Sequence, residues 1–215
     1  MKAVMISIKP KYVAKILNSE KTIEVRKVFP KEYKGWVYIY CTKDKENELL
    51  KGYKVYDREE IKYIAQGGTL TLSDFLNGKV VARFYCDKVE EIKLPYTKFG
   101  TDEWVGCESA RTLQTKTLDE KELLKKSCIG VEEIYKYLNF KNSPNNVGYA
   151  WHIDNLEIFD EPKELSEFKG LQRAKATDCG YLKQCKKCGK IFNRCHLLKP
   201  LTKTPKTMCY VEVKE

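Results

Sequence analysis

Three β-forming runs, Gly35 to Thr42, Gly78 to Leu94 and Gly148 to Phe159, limit what this 215-residue chain can fold into. Each is rich in β-branched and aromatic residues, and Gly-Trp-Val-Tyr-Ile-Tyr-Cys-Thr from Gly35 is the plainest. The run from Gly78 begins as a continuous apolar stretch and ends alternating, as a strand leaving a core does. Cys209 to Val213 supplies a last short strand. Near the start, Val13, Ile16 and Leu17 fall at helical spacing, so Pro10 to Asn18 reads as a short helix with one apolar face. Thr22 to Val28 then reads as a strand. Between strands, 44–77 is charged and broken by Gly67-Gly68. In 95–146, Val131, Ile134, Tyr135 and Leu138 mark one amphipathic helix, and Asp119 to Lys126 is a second. Strands, inserted helices and strands again predict an α+β chain. It is expected to be one domain over 1–215, a small β-barrel with insertions at 44–77 and 95–146.

The hydrophobic fraction of 42% fits one folded core, and no apolar stretch approaches a membrane span. The first residues are interrupted by Lys2, Lys9 and Lys11, so no secretory leader is expected and the chain is placed in the cytoplasm. Nine cysteines in that setting read as thiols or metal ligands rather than disulfides.

The net charge of +10 is concentrated. Between Leu171 and Lys206 there are ten basic residues against one acid, Asp178, which leaves about +1 for the rest of the chain. An excess this local predicts an anionic partner, nucleic acid before a plainly solvated loop. The same segment, a basic Cys-rich insertion over 171–206, holds Cys185-Lys-Lys-Cys188-Gly. A Cys-x-x-Cys turn followed by Gly suits two thiolates on one Zn²⁺, and Cys179 and Cys195 flank it at suitable distances for a four-sulfur, knuckle-like structural site. His196 and Cys209 are substitutes for either flanking ligand. A redox dithiol and unliganded cysteines are the competing readings. Zinc would supply folding free energy where apolar residues are few, and would array Lys183, Lys186, Lys187, Lys190 and Arg194 on a rigid knob with Tyr181 and Phe192 as stacking surfaces.

The strand after the first helix carries a second signal, Ser19-Glu-Lys-Thr-Ile-Glu-Val-Arg26. Alternation puts Ile23 and Val25 on one face and Thr22, Glu24 and Arg26 on the other. That polar stripe is either a solvated surface pair or an inward group in which Glu24 holds Arg26 as a donor for phosphate or a base edge.

The spacing Ser19-x-Lys21-x-x-Glu24-x-Arg26 resembles the ASCH motif, Gly-x-Lys-x-x-Glu-x-Arg, with Ser19 in place of the Gly. Ile6-Ser-Ile-Lys-Pro10, Gly78-Lys-Val-Val-Ala82, and Gly148-Tyr-Ala-Trp-His-Ile153 leading to Pro162-Lys-Glu-Leu-Ser-Glu-Phe168 are also similar to strands of phage and bacterial ASCH proteins. The resemblance covers most of the chain outside the insertions. It implies a PUA-like barrel whose cleft, beside the first helix, is lined by Lys21, Glu24 and Arg26, and it implies RNA or nucleotide binding. Lys9 and Thr22 join that candidate set. Trp151 and His152 fall near such a cleft as bases' stacking partners, although Trp151 reads equally as core. Some relatives are amidohydrolases acting on acylated cytidine, and the position of their Thr nucleophile is Glu24 here. An enzymatic alternative, ribonuclease or amidohydrolase, would therefore use Lys21 as base with Glu24. A third alternative is a regulatory protein whose basic segment docks on an acidic protein.

Overall fold

The structure, a computed structural model, describes residues 2–30, 32–43, 76–94, 112–140, 142–143, 146–173 and 196–213. Strand β1 (Lys2–Ile8) is buried on both faces, with Val4, Ile6 and Ile8 in one core and Ala3 and Met5 in another. Such a run needs neighbours on both sides. It finds β3 (Gly35–Cys41) in parallel and β10 (Met208–Glu212) antiparallel. Helix α1 (Pro10–Leu17) starts on Pro10, whose missing N–H costs nothing at that position, and lays Val13, Ala14, Ile16 and Leu17 onto the first core.

Two of the sequence runs divide. The run from Gly78 gives β4 (Lys79–Cys86) and β5 (Val89–Ile92), separated at Asp87 and Lys88. The run from Gly148 gives β6 (Gly148–His152) and β7 (Asp154–Glu164), separated at Ile153. At that level Tyr85 pairs with Asp154, Val89 pairs with Trp151, and the His152 amide donates to the Lys88 carbonyl. Both runs therefore cross together from one sheet to another. Strands β8 (Lys169–Arg173) and β9 (His196–Pro200) complete a seven-stranded sheet in the order β7-β4-β3-β1-β10-β8-β9. The second sheet is β2-β6-β5, in which β2 (Ile23–Arg26) is the motif strand.

The α+β expectation holds, but the described strands form two sheets and not a closed barrel. Among the described strands β2 and β5 are the edges of the small sheet and β7 and β9 those of the large one, and the two sheets are joined through the continuous runs β4–β5 and β6–β7. Strands β8 and β9 also run into both ends of the expected 171–206 insertion, and Arg173 pairs with His196 across them. The insertion 44–77 lies outside the described residues except for its last two.

Helices α2 (Glu120–Ser127) and α3 (Val131–Leu138) cover the outer face of the small sheet. Asp119 caps α2 by accepting the Glu122 amide at 2.7 Å. Leu123, Ile134 and Leu138 pack against Ile23, Val25, Ile92 and Ala150 in a separate core. The small sheet thus lies between two cores, with its Ile23 face toward the helices and its Trp151 face toward α1 and β1. Among the described residues no helix is long and apolar enough to cross a membrane.

Candidate functional site

The motif strand owes its buried polar stripe to this position between two cores. Register places Glu24 across from Trp151 and Arg26 across from Tyr149, so all four side chains share the inner face. Glu24 and Arg26 are buried, and the inward reading of the stripe is the one the fold adopts. Thr22 is exposed and precedes the strand, where its amide donates to the Lys126 carbonyl and its carbonyl accepts from Ile153.

Lys21 is the most deeply buried of the group, 1% exposed. Its ammonium donates to the Ile23 carbonyl at 2.7 Å and the Ser127 carbonyl at 2.6 Å, and lies 3.3 Å from Glu24 Oε2. An ammonium has three donors, so all of them are taken. Ser127 ends α2, and its carbonyl is one of those a helix leaves without an internal partner. Lys21 and the Thr22 amide together cap α2 onto the motif strand. Burial lowers the Lys21 pKa, with Glu24 opposing the shift. A role as base would nonetheless require it to shed a proton that is holding a carbonyl.

Glu24 is shared. Its Oε1 lies 3.0 Å from Arg26 Nε, an ion-pair contact off the line of a hydrogen bond. Arg26 Nη2 donates to the Ser7 carbonyl at 2.6 Å, which ties the motif strand back to β1. Nη1 has no partner among the described residues. The cluster holds two cations and one anion, so it carries a net positive charge in a buried place.

Trp151 is fully buried and meets Phe29 edge-on at 5.0 Å, so it is a core side chain and offers no face for a base. His152 projects from the opposite face of the sheet. There its Nε2 lies 2.9 Å from Glu90 Oε1, apart from the Arg26 cluster. Glu90 is a buried carboxylate on that opposite face, outside the candidate site and not singled out by the sequence motifs. It is 4% exposed and accepts from Lys88 Nζ at 3.0 Å, the Thr117 amide at 2.7 Å, and the hydroxyls of Thr117 and Thr115 at 2.8 and 3.1 Å. Burial alone would raise its pKa, but the bonds from Lys88, Thr117 and His152 outweigh it and hold the carboxyl at about 2. The signal was present in the sequence: Glu90 shares a strand face with Ile92, which alternation marks as inward.

Lys9 is exposed just ahead of α1. Cys179, Cys185, Cys188 and Cys195, and Lys183, Lys186, Lys187, Lys190 and Arg194, lie outside the described residues. Among the described residues no group of three or more His, Cys, Asp or Glu is placed to hold a metal ion. Cys209 packs at the third core across from Met5, and burial pushes its thiol up to about 11, the opposite of what a metal thiolate needs.

No family model matches the chain, and no curated protein matches it. Among solved structures it is similar to the crystal structure of ASCH from Zymomonas mobilis, with 10% identity, a TM-score of 0.41, and coverage of 76% of this chain and 73% of that one. Crystal structures of two point mutants of the same Zymomonas mobilis protein match at 11% and 12% identity, each with a TM-score of 0.42. They cover 77% and 76% of this chain, and 77% and 74% of theirs. Likeness at this level carries no argument, and both fold and chemistry rest on this chain's own residues.

Proposed function

We propose that the chain binds RNA, taking a single-stranded or modified nucleotide at the Arg26 end of the buried cluster, and that a zinc-clipped basic segment supplies most of the affinity. One observation carries the first half. Arg26 is held on two sides by Glu24 and Ser7 while Nη1 keeps no partner among the described residues, and the cluster has one positive charge more than its carboxylate can neutralise. A guanidinium fixed in this way is a preorganised donor for a phosphate or a base edge. Lys21, with its donors filled, is assigned the positioning of that strand rather than contact with the ligand.

For the second half the support is sequence. Cys179, Cys185, Cys188 and Cys195 have zinc spacing, and the surrounding cations outnumber acids ten to one over 171–206. His196 remains an alternative ligand. The buried thiol of Cys209 makes it the poorer substitute. Nothing in the geometry favours the hydrolytic alternative, which needs a free base at Lys21.

Anisotropy of a labelled single-stranded RNA, measured over a salt series, tests the proposal. Affinity should fall linearly on a log–log plot, and neutralising Lys186 and Lys187 together should reduce the slope by about 1.4, at roughly 0.7 per phosphate contact. Arg26→Ala should instead change which RNA is preferred while leaving the slope nearly intact, and Arg26→Lys, which keeps the charge but not the fork of donors, should not restore the preference. Affinity indifferent to salt would refute it.

A further inference from the structure

The inner face of the large sheet does not end where its core ends. Val4 on β1 is fully buried, and its register partner on β10 is Tyr210. The β10–β8 register pairs Val211 with Gly170 and Glu212 with Lys169, so one step further Tyr210 stands across from Leu171. Leu171 in turn pairs with Leu198 on β9. Tyr210, Leu171 and Leu198 therefore form one row across three strands, and they are 48%, 66% and 39% exposed. The Tyr210 ring is propped edge-on by Tyr33 at 6.3 Å, and Tyr33 is itself fixed by its hydroxyl bond to the Trp36 carbonyl at 2.7 Å.

The charge around this row is positive. Lys2 and Lys169 take the next register position on the same face, with Glu212 between them. An apolar protein partner would have to strip these cations of water, whereas a polyanion neutralises them.

We infer that the Tyr210–Leu171–Leu198 face is a second contact surface for single-stranded RNA, on which a base stacks on Tyr210 and its neighbours lie along the two leucines. This deepens the RNA-binding proposal and rests on it. A ring on a sheet, edged by cations, is the arrangement that binds single strands by stacking with little demand on sequence.

The test uses the full chain and a 12-nucleotide oligouridylate containing 4-thiouridine. Tyr210→Ala should weaken binding about 5- to 160-fold, the loss of one stacked base, while Tyr210→Phe keeps it. Irradiation of the wild-type complex should cross-link the RNA to the peptide bearing Tyr210, a readout that no variant's folding can disturb. If wild type binds the RNA but Tyr210→Ala and Leu171→Ser bind equally well and cross-links fall elsewhere, this surface is wrong and the Arg26 proposal stands. If wild type binds no RNA at low salt, both fail. If Leu171→Ser instead turns a dimer into a monomer in sedimentation with RNA affinity unchanged, the face belongs to a second copy of the chain and the inference is overturned.

Discussion

Lys21 and Glu90 show how one buried polar side chain can decide the arrangement around it. Lys21→Met keeps the length of the side chain but leaves two carbonyls without a donor and Glu24 with a single cation. It should cost about 3–5 kcal/mol in urea unfolding, because removing one member of a buried ion cluster strands the rest; a loss under about 1 kcal/mol would contradict the capping role. Glu90 makes a prediction in pH. Its folded pKa of about 2 lies below the ordinary 4.5, so its stabilisation is complete above about 4.5 and is lost as pH falls toward 2. That shift corresponds to about 3 kcal/mol. Glu90→Gln should therefore be less stable than wild type at pH 7, and the gap should close near pH 2; a gap independent of pH would rule this out. Alternation along Thr22 to Arg26 was enough to read the shared face of Glu24 and Arg26 from the sequence. The partner of Lys21 was not legible, since Ser127 lies 106 residues away.

Helices and strands were legible wherever their own periodicity was long enough. Asp119 and the spacing from Val131 to Leu138 marked α2 and α3, because capping and an apolar stripe are local properties. Both helices end on a residue with positive φ, Cys128 at 52° and Asn139 at 61°, and the chain turns there toward the small sheet. The division of the two long runs between sheets was not legible. The charged pair Asp87-Lys88 and the change of parity from Tyr149, Trp151 and Ile153 to Leu156 and Ile158 mark these points in the sequence, but neither says that the strands on either side pair into different sheets. Packing between α3 and β6 is close enough to test. A Cβ on Gly148 would come within 2.3 Å of Leu138 Cδ1, so Gly148→Ala should cost about 1–3 kcal/mol and shift α3 outward. Unchanged thermal stability would mean that α3 is held elsewhere.

Over the whole molecule, charge and fold are separate contributions. The motif cluster is buried between β1 and the small sheet, while six of the ten cations of 171–206 fall at 174–195 in the sequence, between the paired strands β8 and β9. Under the zinc-clip proposal a strong chelator should reduce RNA affinity by more than tenfold, about 1.4 kcal/mol or beyond, while the sheets keep their unfolding midpoint. Metal analysis of the same sample should find one zinc per chain, and a midpoint that falls with the affinity would mean that the metal holds the domain itself.

By itself, the sequence determined what is local: that the runs from Gly35, Gly78 and Gly148 are strands and those from Pro10, Asp119 and Val131 helices, that Glu24 and Arg26 share a face, and where the positive charge lies, whereas Lys2–Ile8, Lys169–Arg173 and His196–Pro200 emerge as strands only in the fold. Short-range sterics and alternation fix those properties before any core forms. Only the tertiary structure decided that the polar stripe faces inward, that Lys21 is a cap whose donors are all used, that Trp151 is core, and that Tyr210 lines up with Leu171 and Leu198. Each of these depends on contacts between segments distant in sequence. No pattern within one segment records which partner it will meet.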